Sequence, residues 1–552
     1  MNSAFVATVK AWIEGDPDPA DRATLQQLLD DGDELELRRR FDEPLRFGTA
    51  GLRGPLRAGP AGMNRYTVRR ATQGVVAWLS ERGRDPSRGV VVGRDARRGS
   101  ESFNDEVVQV LVGAGVNVIE MPRPLPTPLV AYAVRALGAA AGIMITASHN
   151  PPDDNGYKLY DADGAQIVPP NDEMVEAFAT AAGPAVLGDR TSPLHRVANS
   201  DLWEKYLGHF ARRFAVPGDS ALSIAYTPLH GVGGEPMMEL FRAAGYRAVT
   251  PVAPQFAPDG RFPTLPFPNP EEPGALDLAI ETAEQHACDL VIANDPDADR
   301  LGVAVRSRGA WRILRGDEIG WLLASSLLDE MSANDDVVAT TIVSSSMLEA
   351  MARDAHVRFV TTLTGFKWIA RAAGDGVLRF GYEEALGFAV DPAVADKDGM
   401  SAALAICQLA DDLSRSGATL LDRLDEIETR FGVHAGGQLS LRADGPGGAL
   451  AIASALERLR SAPPSILGHL PVSAFVDLAQ GWHGLAPTDG VRIELRDAGR
   501  VIVRPSGTEA KLKVYIEITA QPDDAHSLAE QRTICGALLN AVRDELAELL
   551  RL

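Results

Sequence analysis

Thr146-Ala147-Ser148-His149-Asn150-Pro151-Pro152, running on through Asn155-Gly156-Tyr157-Lys158, decides how this chain is read. It follows an apolar run, Ala140 to Ile145, with the composition of a buried parallel strand. The strand ends abruptly in a hydroxyl, an imidazole and a helix-breaking pair. In open α/β sheets the carboxyl ends of strands are where ligands bind. Lys158 lies ten residues beyond Ser148, close enough to return to the same place. By itself the stretch reads equally as an Asn-Pro turn.

Composition bounds the answer. A chain of 552 residues is too long for one core, so several domains are expected. The apolar content of 45% and charged content of 23% are those of an ordinary globular protein. With 54 basic and 75 acidic residues the formal charge is −21, which argues against binding nucleic acid or an anionic membrane. An anionic substrate would then need a locally basic site in an acidic protein. Cys288, Cys407 and Cys535 are odd in number and far apart, as expected of reduced thiols in a cytoplasmic chain. Met1 to Asp16 lacks the apolar core of a signal peptide, and no run approaches the ~20 apolar residues of a membrane span.

Residues 1 to 45 read as two acidic helices broken at Asp16-Pro17-Asp18-Pro19. Arg46 to Gly54 carries three glycines, and Arg53 in it could reach a phosphate. Val90 to Val92 is a strand with Gly93-Arg94-Asp95 at its end, where Arg94 and Asp95 either pair or serve a site. Pro122, Pro124, Pro126 and Pro128 form a stiff connector. A helix from Leu202 to Phe214 precedes a second alternation that starts at Leu222, and His230 follows in a glycine-rich loop where a structural role is expected.

Asp289 to Ala293 is a further apolar strand, ending in Asn294-Asp295-Pro296-Asp297-Ala298-Asp299-Arg300. Pro296 keeps this segment out of a helix. In an extended loop alternate side chains point the same way, so the three carboxylates would converge. Three hard anionic ligands suit a divalent, oxygen-seeking cation, Mg²⁺ above all; without one they repel each other. Further on, Thr361-Thr362-Leu363-Thr364-Gly365-Phe366-Lys367-Trp368 and Tyr382-Glu383-Glu384-Ala385-Leu386-Gly387 make two more loops. Lys367 could meet a phosphate, and the Glu pair suits sugar hydroxyls. Asp396-Lys397-Asp398-Gly399 and a helix from Met400 close that segment. Near the end, Arg504-Pro505-Ser506-Gly507-Thr508-Glu509 offers amides, hydroxyls and a guanidinium on one tight turn, enough to surround a phosphate dianion, with Lys511 and Lys513 beyond.

Taken together and in this order, these loops resemble those of the α-D-phosphohexomutases, the phosphoglucomutase and phosphomannomutase superfamily. Thr146-Ala147-Ser148-His149-Asn150-Pro151 is similar to its phosphoserine loop, Asp295-Pro296-Asp297-Ala298-Asp299-Arg300 to its metal loop, Glu383 to its sugar-binding glutamate and Arg504 to Thr508 to its phosphate loop. The resemblance spans roughly residues 46 to 518. It implies an α/β fold: three successive α/β domains with mixed or parallel sheets and a C-terminal α+β domain, arranged around one central cleft. The boundaries would fall at residues 1–205, 206–316, 317–432 and 433–552.

The resemblance also implies roles. Ser148 would carry a phosphoryl group and join Asp295, Asp297 and Asp299 around one Mg²⁺, with Arg300 stabilising the transferring group. Either His149 or Lys158 would act as general base. Arg53, Thr364, Gly365, Lys367, Glu383, Arg504, Ser506, Gly507 and Thr508 would bind a sugar phosphate. A sugar bisphosphate would be intermediate and activator. Interconversion of hexose 1- and 6-phosphates is the implied reaction. Ala385 stands where the family has a serine, and Phe366 where many members have a histidine. Both departures resemble the branch with the second phosphoglucomutase and phosphopentomutase, so a pentose substrate is the alternative. A phosphatase or a non-catalytic sugar-phosphate sensor could use the same loops, although the retained serine, aspartates and arginine speak against a sensor. The oligomeric state is not legible.

Overall fold

The computed structural model describes residues 1–48, 51–218, 220–332, 335–443, 447–506, 511–523 and 525–551. The chain parts into two compact units, Met1–Leu314 with Ala385–Asp412, and Arg315–Glu384 with Leu413–Leu552.

The first unit begins with three helices where the sequence predicts two: Ser3–Gly15, Pro19–Asp30 and Glu34–Phe41. Asp18 caps the second with Pro19 in its first turn, as the sequence indicates. The extra break comes at Gly32, which takes φ +69°, and Asp33 then caps the third helix. Val9, Trp12, Leu25, Leu37 and Phe41 bury the shared face.

Six strands follow: β1 (Leu52–Pro55), β2 (Val90–Arg94), β3 (Val118–Glu120), β4 (Ala141–Ile145), β5 (Asp154–Asp161) and β6 (His195–Val197), in the order β1-β5-β4-β2-β3-β6. The four strands β4, β2, β3 and β6 are parallel; β5 runs antiparallel to β4, and β1, antiparallel to β5, points the same way as the four. Parallel strands covered on both faces need continuous apolar sequence, and β4 is buried at all five positions. The helix after the proline connector, Thr127–Ala136, starts inside it, with Pro128 in the first turn where its missing N–H costs nothing.

The second sheet contains β7 (Ile224–Thr227), β8 (Val249–Pro251), β9 (Leu290–Asn294), β10 (Leu301–Ser307) and β11 (Ala310–Ile313), ordered β11-β10-β9-β7-β8. Strand β7 starts at Ile224, later than Leu222; the Ser223 amide donates to the Asp289 carboxylate at 3.0 Å rather than to a neighbouring strand. The two sheets share one device. A buried parallel strand (β4 or β9) ends in a short loop, and the chain turns back antiparallel along it (β5 or β10). Those two loops are the serine and aspartate motifs.

In the second unit β12 (Asp336–Thr341) lies parallel between β13 (Arg358–Thr362) and β14 (Val377–Glu383). The chain then returns to the first unit for a short strand, β15 (Gly387–Ala389), and the helix Gly399–Arg415. The remainder builds an antiparallel sheet from β16 (Val433–Arg442), β17 (Ile466–Leu467), β18 (Leu470–Asp477), β19 (Val491–Leu495), β20 (Gly499–Pro505) and β21 (Lys511–Ala520), ordered β16-β21-β20-β19-β18-β17. Helices Gly448–Ser461 and Leu528–Leu549 contribute Leu456, Cys535, Val542 and Leu546 to its core. No helix among the described residues is long and apolar enough to cross a membrane.

Candidate active site

Ser148 sits at the head of the loop joining β4 to β5. Its φ is +54°, a left-handed conformation uncommon for a residue with a Cβ, and such outliers cluster at functional sites. Its amide donates to Thr146 Oγ1 at 2.9 Å. Its own hydroxyl donates to Asp295 Oδ2 at 2.7 Å and lies 3.1 Å from His149 Nδ1. The serine and aspartate loops, read separately in the sequence, are one site in the first unit.

The aspartates converge by a different route from the extended loop expected. Ala298 adopts φ +56° and its amide donates to Asp295 O at 2.9 Å, so the segment is a tight turn. Arg300 N donates to Asp295 Oδ1 and Asn294 Nδ2 to Arg300 O, which closes the turn. The glycine-rich loop after β7 packs against it: a Cβ on Gly231 would lie 2.3 Å from Pro296 Cα. His230 in that loop bonds Thr264 at 2.8 Å, the structural role expected.

Asp295, Asp297 and Asp299 are fully buried, and one carboxylate oxygen from each falls within 4.8 Å of the others. Lys158 reaches back along β5 to donate to Asp297 Oδ2 at 2.8 Å and Asp299 Oδ2 at 2.7 Å. Burial pushes the Asp295 carboxyl well above the carboxylate range, and Asp297 and Asp299 add to it. Burial acts on Asp299 too, but Lys158, Lys397 and Arg300 outweigh it and hold that carboxyl below its ordinary value. Asp297 Oδ1 and Asp299 Oδ1 are left buried with no hydrogen-bond partner. Two orphaned anionic oxygens beside a third carboxylate and a hydroxyl are the donor set of a hard divalent cation. The residues present therefore fit a divalent cation such as Mg²⁺, which Asp295, Asp297 and Asp299 could hold.

Basic groups surround this centre. The Arg300 guanidinium lies 3.4 Å from Glu271, and Arg53 stands on β1, 3.5 Å from Asn150 Oδ1. Burial first, then the charges of Arg300 and Arg53, hold the His149 imidazole well below its ordinary pKa, so it is neutral. Lys158, Lys397, Arg300 and Arg53 thus bring cationic groups to this buried centre inside a chain of charge −21.

Three contributors have no motif to betray them. Thr127 donates its hydroxyl to Asp297 Oδ2 at 2.6 Å and its amide to Asp297 O at 2.9 Å. Arg97, 4% exposed, donates to backbone carbonyls of the serine loop. Lys397 places its ammonium 3.2 Å from Asp299 Oδ2. The segment Asp396 to Gly399 does more than close a domain: Gly399 lies so near Arg300 that a Cβ would sit 2.2 Å from the Arg300 carbonyl. Arg94 and Asp95 do not pair as one reading had it. Arg94 is 3.5 Å from Glu101, and Asp95 accepts from Ser100 Oγ and Arg97 N.

The second unit carries the other predicted residues. Gly365, at φ +111°, donates its amide to Glu383 Oε1 at 2.8 Å, which ties the loop of Thr364 to the end of β14. The two glutamates differ: Glu384 accepts from Ser344 Oγ at 2.8 Å. Lys367 is 7% exposed, its ammonium 5.8 Å from the centre of the Trp368 ring. Arg504 pairs in register with Lys513, and Ser506 N donates to Lys511 O at 2.8 Å. Gly507 and Thr508 lie outside the described residues.

Four family models match in order. They are those of the phosphoglucomutase/phosphomannomutase α/β/α domains I, II and III, at residues 44–184, 204–309 and 315–431, and of the C-terminal domain, at 454–533. A Haemophilus influenzae protein named a probable phosphomannomutase is 39% identical over 84% of this chain and 95% of its own length. A mouse phosphopentomutase is 34% identical over 98% and 94%, and a Staphylococcus aureus phosphoglucomutase 32% over 93% and 96%. Among solved structures, a phosphoglucomutase/phosphomannomutase family protein from Burkholderia thailandensis superposes with a TM-score of 0.68 at 20% identity, covering 91% of this chain and 97% of that one. This likeness shows the fold. Serine, aspartates, fold and sequence agree: the chain belongs to the phosphoglucomutase/phosphomannomutase superfamily and is a phosphotransferase isomerase of that type.

Proposed function

We propose that this enzyme interconverts hexose 1-phosphate and hexose 6-phosphate, with glucose or mannose as the sugar, through a phosphoserine at Ser148 and a sugar bisphosphate. The observation that carries the reading is the Ser148 hydroxyl, in a strained backbone conformation, 2.7 Å from Asp295 in a buried triad of aspartates. The P–Oγ bond of phosphoserine 148 breaks as the 6-hydroxyl of the 1-phosphate forms its own bond to phosphorus and gives up its proton to a base. The bisphosphate turns over. Its other phosphate passes to Ser148 Oγ, and the serine proton leaves. Mg²⁺ on Asp295, Asp297 and Asp299, beside Ser148, would neutralise charge on the transferring group. Arg300 and Arg53 add cationic charge where phosphoryl transfer needs it.

A neutral His149, its Nδ1 3.1 Å from Ser148 Oγ, supports His149 as the base that exchanges the serine proton. Lys158, held by two carboxylates, is then the internal counter-charge of the triad. Thr364, Gly365, Lys367 and Glu383 are assigned to the sugar, and Arg504, Ser506, Gly507 and Thr508 to the phosphate not being transferred. We assign the four loops to domains at 1–205, 206–316, 317–432 and 433–552.

A pentose substrate is the second reading. Ala385 favours it by removing a hydroxyl from the sugar loop, and the mouse phosphopentomutase matches 98% of the chain. The deciding experiment compares kcat/KM for glucose, mannose and ribose 1-phosphates with Mg²⁺ and with chelator. A hexose should lead, and chelator should abolish turnover. A lead for ribose moves the enzyme to the pentose reading. Net phosphate release would mark a hydrolase, and no turnover of any sugar ends the mutase reading.

A further inference from the structure

The serine loop is held by a residue that no motif marks. Between β4 and β5 the backbone leaves the ladder, and its carbonyls need donors from elsewhere. One guanidinium gathers four of them. Arg97 Nη2 donates to Ser148 O and Asn150 O, both at 2.6 Å, and Nη1 to Pro151 O at 2.8 Å and Asp154 O at 3.2 Å. The side chain is 4% exposed. Asp95, 3.4 Å from its Nε, compensates the charge, and Asp95 is itself fixed by Ser100 Oγ at 2.6 Å. On the other side the guanidinium lies 4.8 Å from the centre of the Phe262 ring, which comes from the segment between β8 and β9. That segment packs tightly here: a Cβ on Gly260 would meet Arg97 Cα at 2.8 Å.

We infer that Arg97 is a positioning residue for phosphoryl transfer: its fork holds Ser148 in the left-handed conformation that aims Oγ at Asp295, and Phe262 seats the fork. The inference rests on the mutase reading for its kinetic consequence, but the clamp itself does not. A planar fork with donors at fixed angles can serve several carbonyls at once; an ammonium on a flexible stem cannot. Lysine at this position therefore keeps the charge and loses the geometry. Misplacement of a reacting group by about 1 Å is enough to cost roughly 100-fold in rate.

The test uses the full chain with Mg²⁺ and the variants R97K and F262L. Melting midpoints establish that each variant folds. Hydrogen exchange over residues 146–156 reports the clamp, and kcat and KM report its consequence. R97K should exchange that segment about tenfold faster than wild type with the rest of the molecule unchanged. Its kcat should fall about 100-fold with KM within about threefold, the pattern of a lost transition-state interaction. F262L should move both readouts the same way by a smaller factor. A folded R97K with wild-type exchange in this segment, or with kcat within about threefold of wild type, overturns the inference. If R97K does not fold, F262L decides: unchanged exchange and unchanged kcat overturn it. Should wild type turn over no sugar phosphate, the mutase reading fails, while exchange in R97K still judges the clamp.

Discussion

Lys158→Met removes the internal counter-charge of the aspartate triad. Methionine keeps the length and fills the space. Lys158 is 1% exposed and donates to Asp297 at 2.8 Å and Asp299 at 2.7 Å, both aspartates fully buried. Removing one partner of a buried ion pair costs about 3 to 5 kcal/mol, because the other charge is left uncompensated. Here the lower end applies, since Lys397 remains 3.2 Å from Asp299 and Thr127 still donates to Asp297. At roughly 2 °C per kcal/mol for a large domain, a loss of about 3 kcal/mol lowers the melting midpoint by about 6 °C in chelator. Mg²⁺ changes the balance. The ammonium repels a cation bound to the same carboxylates, so the variant should bind Mg²⁺ more tightly than wild type. A cation at 100 times its Kd stabilises the folded state by about 2.7 kcal/mol, enough to restore most of the loss. The assay is a pair of thermal scans for each protein, in chelator and in Mg²⁺. The Mg²⁺ shift should be several degrees larger in the variant. A variant that melts within about 1 °C of wild type in chelator, or an equal Mg²⁺ shift in both proteins, would refute the counter-charge role of Lys158.

Other outcomes follow from the same geometry. Ser148→Ala should abolish mutase turnover with little change in stability, and intact mass should show a phosphorylated fraction in wild type that the variant lacks; full activity in the variant sinks the mechanism. Arg504→Ala should raise KM more than it lowers kcat, with a loss of about 2 to 3 kcal/mol, or roughly 30- to 150-fold in kcat/KM, and more free bisphosphate per turnover. Unchanged KM and no extra bisphosphate would make Arg504 structural. Burial pushes the Asp398 carboxyl up to about 6 against hydrogen bonds from Tyr206 and the 400–401 backbone. Between pH ~4 and 6 the folded chain keeps a proton that the unfolded chain has released, so this contribution is full below pH ~4 and is lost as pH rises through 6, about 3 kcal/mol in all. Asp398→Asn removes it, so the variant should gain on wild type in melting midpoint from pH 4 to 7; a flat difference across that range contradicts the assignment.

Sequence alone determined which reactive groups the site contains. A hydroxyl after a buried strand and three carboxylates in five residues are local facts, and they are enough to propose a nucleophile and a set of cation ligands before any fold is known. It also determined many elements, since continuous apolar runs and proline or aspartate breaks leave β4 and β9 little choice. Tertiary structure decided what balances those charges and aims those groups. Thr127 meets Asp297 across 170 positions, Arg97 meets Ser148 across 51, and Lys158 meets Asp299 across 141. The convergence of the aspartates also belongs here, because a turn at Ala298 with positive φ is stabilised by the loops packed around it. The reason is physical. A ligand set is specified by which atoms the residues carry. Compensation of a buried charge depends on which atoms the completed fold brings within 3 Å of it, and any lysine, arginine or threonine in the chain has the chemistry to supply them.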